Sequence, residues 1–389
     1  MFEKIFSSNK KSSNSYSLNN ISDLFPTSIA GGGIKSYKDN VIVHKCVNLI
    51  AATASHVPWK VYKTNGHKSM LIPSHPALSI LKKPNNRQSG ADFFIEMLSN
   101  LLLYGNAYIL AITHDNYIPQ ELFLLEDANM EVIVKNGKIL GYKYKYLDRE
   151  EIYAINQLNY KCKILHLKTY NPTDKIYGSA PLLAASTSIE IHNFASQWNI
   201  SLLKNGARPS GALILKDPNH FLTEEQFIRL KDQFIEQYSG NNKVGKPLLL
   251  EGGLDWRDMS INPKDMDFIE LKNLAAREIA MAFGVPPQLL GINGDNTYSN
   301  MKEARLALWE ETIIPLLDKI SDNFSNYFSN LYGEDLMIDF DRDEISALTG
   351  RREDLWARIA SCDFISINEK RAFIGLPPLE GRGGDNIDG

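Results

Sequence analysis

The fold of this chain is decided by the stretch Phe268-Ile-Glu-Leu-Lys-Asn-Leu-Ala-Ala-Arg-Glu-Ile-Ala-Met-Ala-Phe283-Gly-Val-Pro-Pro-Gln-Leu-Leu-Gly291. Apolar residues recur at helical spacing as far as Phe283, which predicts a helix over 265–283 with one apolar stripe. Gly284 stands where a left-handed C-terminal cap is expected, and Pro286-Pro287 cannot continue the helix. The stretch therefore predicts a helix followed by a sharp, stiff turn.

A small polar segment comes next, and a second apolar stripe then predicts a long helix over 301–332. The stripe consists of Ala304, Leu308, Thr312, Leu316, Ile320, Phe324, Tyr327 and Leu331. Pro315 lies inside this helix, where it removes one backbone hydrogen bond and crowds the carbonyl of Glu311. We therefore predict a kink at this position.

The turn at 283–291, the segment Thr297-Tyr-Ser-Asn300 and the long helix together resemble the portal proteins of tailed double-stranded-DNA phages. These are the head-to-tail connectors of siphophages, related prophages and gene transfer agents. The resemblance extends over residues 40–385, through His75-Pro-Ala-Leu, Gly105-Asn-Ala-Tyr108, Tyr177-Gly-Ser-Ala-Pro-Leu182, Lys204-Asn-Gly-Ala-Arg-Pro-Ser-Gly211 and Gly375-Leu-Pro-Pro378.

The resemblance implies an α+β portal fold, and we divide the chain on that basis. We expect a disordered N-terminal arm (1–35) with a flexible junction at Gly31-Gly-Gly33, and then an α/β wing (36–222). The remaining expected parts are stem helix 1 (223–240), a small β-containing clip (241–264), stem helix 2 (265–284), a tunnel loop (285–300), a long kinked helix (301–332) and a C-terminal wing segment with a reduced crown (333–389).

Turn and capping signals support the α+β assignment independently of the resemblance. Asn65-Gly66 and Asn136-Gly137 lie between strand-like runs and predict two hairpins. Ser89-Gly-Ala-Asp92 and Thr223-Glu-Glu-Gln226 are capping boxes that predict helix starts. We therefore expect short helices around largely antiparallel sheets.

Composition limits the possible functions. The 389 residues are 43% hydrophobic and carry a formal net charge of −4, so the chain can bury a large core but is not basic. A protein that grips DNA by neutralising phosphates should be basic, so we expect weak contact with DNA. The three cysteines are far apart and predict buried thiols in a reducing compartment, and we expect no membrane segment.

Patterns that suggest catalysis fail on inspection. Gly240-Asn-Asn-Lys-Val-Gly-Lys246 spells the phosphate-loop pattern, but Pro247 replaces the required Ser or Thr and the segment follows a helix. Asp339, Asp341 and Asp343 alternate like a calcium loop, but Glu344 and Gly350 occupy the positions of the essential Gly and Glu. We interpret this region as a strand, and His75 and His192 as structural histidines. We expect a structural protein without catalytic residues, metal or cofactor; the alternative is a nuclease or NTPase of the packaging machinery.

The resemblance implies a ring of twelve subunits at one capsid vertex, through which double-stranded DNA is packaged and ejected. Its implied partners are the major capsid protein, the terminase large subunit and a head-tail adaptor. The protein would belong to the virion after assembly in the bacterial cytoplasm. A mildly acidic lining would suit DNA passage, and residues 223–283 hold eight Lys/Arg against eleven Asp/Glu.

Three groups of residues are predicted sites. For the subunit interface we choose Leu271 and Ile279. For the clip surface we choose Lys243, Lys246, Trp256 and Arg257, with Trp256 either a partner anchor or the module's own core. For the DNA channel we choose Asn293, Gly294, Asp295, Asn296, Thr297, Tyr298, Ser299, Asn300, Lys302 and Arg305; in the alternative, Ser299 or Asn300 caps the long helix and Glu303 completes a capping box.

Overall fold

The computed structural model describes residues 29–65, 68–113, 118–147, 149–204, 211–215, 254–258, 268–292, 298–362 and 364–373, with isolated residues at 223–232 and 379. The helices are α1 (Ile29–Asp39), α2 (Val41–Ser55), α3 (Pro76–Lys82), α4 (Gly90–Tyr104), α5 (Pro181–Ala184), α6 (Ser186–Lys204), α7 (Phe268–Ala282), α8 (Tyr298–Ala307), a π-helix (Leu308–Ile313), α9 (Ile314–Tyr332), α10 (Thr349–Ala360) and α11 (Ile367–Phe373). Short 3-10 helices lie at Asp127–Asn129, Pro287–Leu290, Arg342–Glu344 and Ser346–Leu348.

The strands form four small sheets. They are β1 (Trp59–Asn65), β2 (Lys68–Leu71), β3 (Asn106–Thr113), β4 (Pro119–Leu125), β5 (Met130–Lys135), β6 (Lys138–Tyr146), β7 (Arg149–Ala154), β8 (Ile164–Lys168), β9 (Gly211–Leu215), β10 (Leu254–Asp258) and β11 (Leu336–Phe340). The sheet orders are β11-β1-β2, β4-β3-β8, β5-β6-β7 and β10-β9, and every pair among the described residues is antiparallel. The predicted α+β class is confirmed.

The main core lies where α2, α4 and α9 meet the sheet of β1 and β11. Trp59 stacks on Phe94 with ring centroids 5.2 Å apart and meets Phe324 edge-on at 5.9 Å. Such aromatic pairs add about 0.5–1.5 kcal/mol each beyond the area they bury. A smaller core under β5 and β6 contains Tyr108, Val132 and Tyr142. None of the described helices combines the length and apolar character that crossing a membrane requires.

The hairpin turn at Asn136-Gly137 and the two capping boxes are confirmed. Asn136 and Gly137 both have positive φ (52° and 75°), as a type I′ hairpin turn demands. Helix α4 begins after Ser89, whose hydroxyl accepts from Asp92 N, and ends at Gly105 with φ 78°. Thr223 and Gln226 exchange both hydrogen bonds of a capping box, Thr223 N to Gln226 Oε1 at 3.0 Å and Gln226 N to Thr223 Oγ1 at 3.4 Å.

The prediction of a flexible junction at Gly31-Gly-Gly33 is wrong, because these glycines lie inside helix α1. Gly33 is buried against α4. A Cβ at Gly33 would stand 2.9 Å from Cε1 of Tyr104 and 3.2 Å from the carbonyl oxygen of Leu103. The glycine therefore permits a close approach of two helices, which outweighs its low helix propensity.

On the long helix, three of the eight buried apolar positions differ from the predicted stripe, each by one residue. The buried apolar positions are Ala304, Leu308, Ile313, Leu317, Ile320, Phe324, Phe328 and Leu331, so Thr312, Leu316 and Tyr327 are replaced by their next neighbours. The π-helix Leu308–Ile313 accounts for the shift at its C-terminal end, because a wider turn inserts one extra residue. In a regular α-helix, Leu308 and Ile313 would point about 140° apart. The helix is thus π-helical immediately before Pro315, and the predicted kink stays a prediction.

Three serines at one-turn spacing on α9 bind the free edge of strand β11. Ser329 Oγ accepts from Leu336 N at 2.9 Å, Ser325 Oγ accepts from Ile338 N at 2.8 Å, and Ser321 donates to the Ile338 carbonyl. An unpaired sheet edge exposes backbone donors and acceptors. The serine side chains satisfy this edge and fix α9 against the sheet.

We predict that Ser325→Ala lowers the free energy of unfolding by about 1–3 kcal/mol, because the N–H of Ile338, which is fully buried, loses its partner. Chemical denaturation of the purified chain measures the change. Ser79→Ala is the matched control: Ser79 is also helical but lies exposed on α3, so its loss should change stability by less than about 0.5 kcal/mol. Equal effects of the two substitutions would contradict a role for Ser325 at the sheet edge.

Candidate functional site

The candidate site is built on two packed helices, α6 and α7. Ser188, near the start of α6, donates to Glu278, near the end of α7, at 2.6 Å. Further along α6, His192 feels the charge of Lys272, which lies earlier on α7, so the two helices run antiparallel. Beneath them, the Asn40 side chain caps α2 and lies 3.2 Å from His192 Nδ1 on α6. Burial lowers the pKa of His192, and the neutral ring serves as a structural partner, as predicted from the sequence.

The chain leaves this helix pair after Lys204 and returns to it at Phe268. We expected 223–240 and 265–284 to be the two stem helices, with the clip at 241–264 between them; the structure describes only parts of 223–232, so these boundaries stay a prediction. Among the described elements, α7 packs against α6, and strands β9 and β10 pair with each other inside the interval 205–267. Sequence periodicity could not show this, because it finds helices without finding their neighbours.

The outward faces of the helix pair carry exposed apolar side chains. Phe194 on α6 is 67% exposed, and Leu274 and Met281 on α7 are 52% and 75% exposed. Of the predicted interface residues, Leu271 shares this outward face, but Ile279 is fully buried in the main core. The choice of Ile279 is therefore wrong, because the inner stripe of α7 packs on its own subunit.

The turn after α7 is a rigid, hydrogen-bonded cap. Gly284 has φ 68°, its N–H bonds the Met281 carbonyl at 3.0 Å, and Val285 N bonds the Ala280 carbonyl at 2.9 Å. This is the Schellman arrangement, and Val285 is buried beside it. From the π-helix, the Thr312 hydroxyl donates to the Gly284 carbonyl at 2.6 Å. The end of α7 is thus tied to the distorted part of the long helix.

The predicted tunnel loop is shorter than expected. Pro287–Leu290 forms a 3-10 helix that ends at Gly291 with φ 74°, and Ile292 is buried. Helix α8 already begins at Tyr298, so Ser299 and Asn300 lie in its first turn and the predicted N-cap role is wrong. Asn293, Gly294, Asp295, Asn296 and Thr297 lie outside the described residues.

The cations behind the loop, Lys302 and Arg305, are both exposed on α8. The Lys302 Nζ atom lies 3.8 Å from the point where a Cβ on Gly350 would stand, so it approaches α10. Ala304 and Leu308 on the opposite side are buried. The structure thus brings the two predicted cations to one exposed face next to the loop.

The structure describes two of the four predicted clip residues. Trp256 and Arg257 lie in β10, where Trp256 is opposite Leu213 and Arg257 is opposite Ala212. Lys243 and Lys246 lie outside the described residues, as does the whole GxxxxGK segment. The strand pairing places Trp256 in a two-stranded ribbon and leaves its role as anchor or core untested.

The aspartates with calcium-loop spacing have structural roles. Asp341 accepts from Asp343 N at 3.1 Å and forms an ion pair with Lys60, while Asp343 pairs with Arg352 at 3.4 Å. The interpretation of this region as a strand, β11, is confirmed. Within the described ranges, no three His, Cys, Asp or Glu side chains converge as metal ligands would.

Other titratable groups serve the fold. His75 Nδ1 accepts from Ala77 N at 3.1 Å and caps α3, and burial lowers its pKa, as expected for a structural histidine. Cys46 and Cys162 are buried, and burial raises the pKa of both thiols. Buried thiols held in the neutral form are poor nucleophiles.

Comparisons with known proteins agree with this architecture. The family model for "Phage portal protein" matches residues 41–375. The chain is 56% identical over 355 residues to an uncharacterized protein of Rickettsia bellii, covering 91% of each, and 26% identical over 351 residues to the portal protein of Enterobacteria phage HK97, covering 87% of this chain and 79% of that protein. A chain in the neck of a native gene transfer agent particle, determined with C12 symmetry, matches with 37% identity and a TM-score of 0.70 over 91% of this chain and 95% of its own.

The chain therefore belongs to the phage portal protein family. This family is a structural one. The matches support portal function and give no support to the alternative of a nuclease or NTPase.

Substitutions at Gly284 and Gly291 can separate the cost of a positive φ from the cost of a lost hydrogen bond. Gly284→Ala and Gly291→Ala should each lose about 1–2 kcal/mol, because both glycines have positive φ. A Cβ at Gly284 would also stand 2.5 Å from Thr312 Oγ1, whereas a Cβ at Gly291 would meet nothing within 4 Å. Gly284→Ala should therefore cost about 1 kcal/mol more, the value of the displaced hydrogen bond, in thermal or chemical unfolding. If the two costs are equal, Thr312 does not hold this turn.

Proposed function

We propose that this chain forms the ring at one vertex of a phage-like particle and that double-stranded DNA passes through the ring. The observation that carries the proposal is the match over 91% of the chain to a neck component of a particle with C12 symmetry. That symmetry supports a homo-oligomeric ring, and we propose twelve copies. In this proposal α7 is a stem helix that packs on α6, and the clip lies within residues 205–267.

The ring requires each subunit to present two different faces to its neighbours, because repeated contact around a closed ring is head-to-tail. The outward faces of α6 and α7 supply two candidates, with Phe194 on one and Leu271, Leu274 and Met281 on the other. Exposed apolar side chains at helical spacing on both helices favour contact between α6 of one copy and α7 of the next.

The electrostatic balance favours passage rather than tight binding. A chain with net charge −4 gains little affinity from counterion release, so DNA can slide past it. Lys302 and Arg305 would offer isolated positive charges beside the loop. We propose that residues 293–300 contact DNA from this position, through hydrogen bonds and water rather than ion pairs.

The proposed partners are those that the resemblance to portal proteins implies. We propose that the inserted module meets the terminase large subunit and later a head-tail adaptor, and that the wing meets the major capsid protein. Lys243, Lys246, Trp256 and Arg257 are the candidate contacts on the module. Adaptor affinity of rings carrying Trp256→Ala would distinguish a partner anchor, which weakens binding, from a residue of the module's own core.

Ring formation is the direct test. Met281→Asp should shift the purified protein from a particle of several hundred kilodaltons towards the 43.9 kDa monomer, because a carboxylate buried in an apolar contact costs several kcal/mol. Mass photometry measures the distribution, and Leu271→Asp should act in the same direction.

Met70→Asp is the matched control for this test. Met70 lies on β2 and is 68% exposed, close to the 75% of Met281, so the substitution is the same and only the location differs. Rings should persist in Met70→Asp. If Met281→Asp rings are as complete as those of the control, the α7 face is not a subunit interface.

The loop is tested by deleting Asn293 to Asn296. The Schellman cap is held by its own hydrogen bonds, and Thr312 of the long helix also ties the two sides of the loop together, so the ring should still assemble. We expect particles that package DNA but retain less of it, measured as DNA mass per filled particle. If assembled particles of the deletion variant retain as much DNA as the parent, the loop has no part in retention. If the variant fails to form rings, the segment is structural.

A further inference from the structure

The long helix contains a π-helix, Leu308–Ile313, between α8 and α9. π-helical turns are rare in proteins, and those that occur lie frequently at functional sites. Here the wider turn lets two residues five positions apart, Leu308 and Ile313, enter the core together, where they are 3% and 0% exposed. The register of α8 relative to α9 therefore differs by one residue from that of a regular α-helix.

The sequence of α8 contains a second apolar stripe, which a regular α-helix would bury. The positions four and seven residues before Ile313, on the same face of an α-helix, are Trp309 and Leu306. Both side chains are large and apolar, and both are half-buried in the structure, beside the buried positions Ala304 and Leu308. The same sequence thus fits the core in two registers, which we call the π register, adopted in the structure, and the α register.

The two halves of the long helix are anchored differently. Helix α9 buries six side chains and is bonded to strand β11 by its serines. Just before α9, the Thr312 hydroxyl donates to the Gly284 carbonyl at 2.6 Å. Among the described residues of α8, only Ala304 is buried. A change of register therefore turns α8 and leaves α9 in place, because little packing resists the turn of α8.

Two features keep the π register the more populated of the two. In a regular α-helix, Pro315 would crowd the carbonyl of Glu311. The α register would also turn Lys302 inward, because this exposed residue lies three α-helical turns before Ile313. Its ammonium group would then reach solvent only along its own aliphatic chain. The α register is thus a minor state, of the kind that is populated at about 0.1–10%.

We propose that the π-helix is a register switch. Residues 308–312 exchange between π-helical and α-helical turns and rotate α8 by about 100°, the angle between neighbouring residues of an α-helix. The rotation exposes Ala304 and buries Leu306 and Trp309, as a packed helix shifts between two discrete positions. Helix α8 begins directly after residues 293–297, so its register sets where that segment ends. The switch does not depend on the proposed contact between that segment and DNA.

The switch is tested by the reactivity of a cysteine that the α register exposes. Ala304→Cys is made in a Cys362→Ser background, because Cys362 is the one of the three cysteines that is not buried. Modification of the full chain by N-ethylmaleimide is followed by intact-mass spectrometry. The matched position is Ala276→Cys on α7, since Ala276 is 4% exposed and Ala304 is 6% exposed. Ala304→Cys should react about ten-fold or more faster than Ala276→Cys, because a minor register is more populated than the unfolded state.

Rotation and local unfolding of α8 are separated by substitutions in the two stripes. Trp309→Ala removes a core residue of the α register, so the modification of Ala304→Cys should slow by about ten-fold. Leu306→Ala should act in the same direction. Leu308→Ala weakens the π register instead and should accelerate modification. Unfolding of α8 would not be slowed by Trp309→Ala, because this side chain packs partly against the main core in the structure.

Equal modification rates of Ala304→Cys and Ala276→Cys would overturn the proposal, since no register that exposes position 304 would then be populated. A rate that Trp309→Ala leaves unchanged or accelerates would also overturn it, because α8 would then open without adopting the second stripe. If Leu308→Ala fails to fold, Trp309→Ala and Leu306→Ala still decide the question, since both must slow the modification.

Discussion

The structure depends on one constraint: the long helix must keep a single apolar stripe against the core although Pro315 stands near its middle. A regular α-helix cannot do this, since a proline removes a hydrogen bond and crowds the preceding turn. The π-helix Leu308–Ile313 widens the turn before Pro315 and moves the stripe by one residue. Ile313 and Leu317 then enter the core in place of Thr312 and Leu316.

Thr312, which Ile313 replaces in the core, forms a hydrogen bond between two helices instead. With its side chain outside the core, its hydroxyl binds the carbonyl of Gly284 at the end of α7. The glycine allows this approach because any side chain there would collide with the hydroxyl. A distortion required by packing thereby joins the two helices that flank the candidate tunnel loop. The elements on both sides of the loop are therefore tied to each other as well as to the core.

The same long helix also organises the wing. Its serines satisfy the edge of β11, and Phe324 packs against Trp59 in the main core. One element therefore contributes to the core, to a sheet edge and to the anchoring of the turn after α7, so changes in its register would affect all three.

Sequence alone determined the local structure and the family. Capping residues, Asn-Gly turns and apolar spacing depend on neighbours in the chain, so the start of α4, the hairpin at Asn136-Gly137 and the cap at Gly284 were predictable. The motif series around Gly284 indicated the portal family, which the comparisons confirm.

Only the tertiary structure decided which elements meet. It made α6 the partner of α7, placed Ile279 in the core and enclosed Gly33 in a helix. Contacts of this kind depend on packing between elements distant in sequence, and periodicity contains no information about them. The one-residue shift at the π-helix has the same origin, because the core, and not the local sequence pattern, selects which side chain is buried.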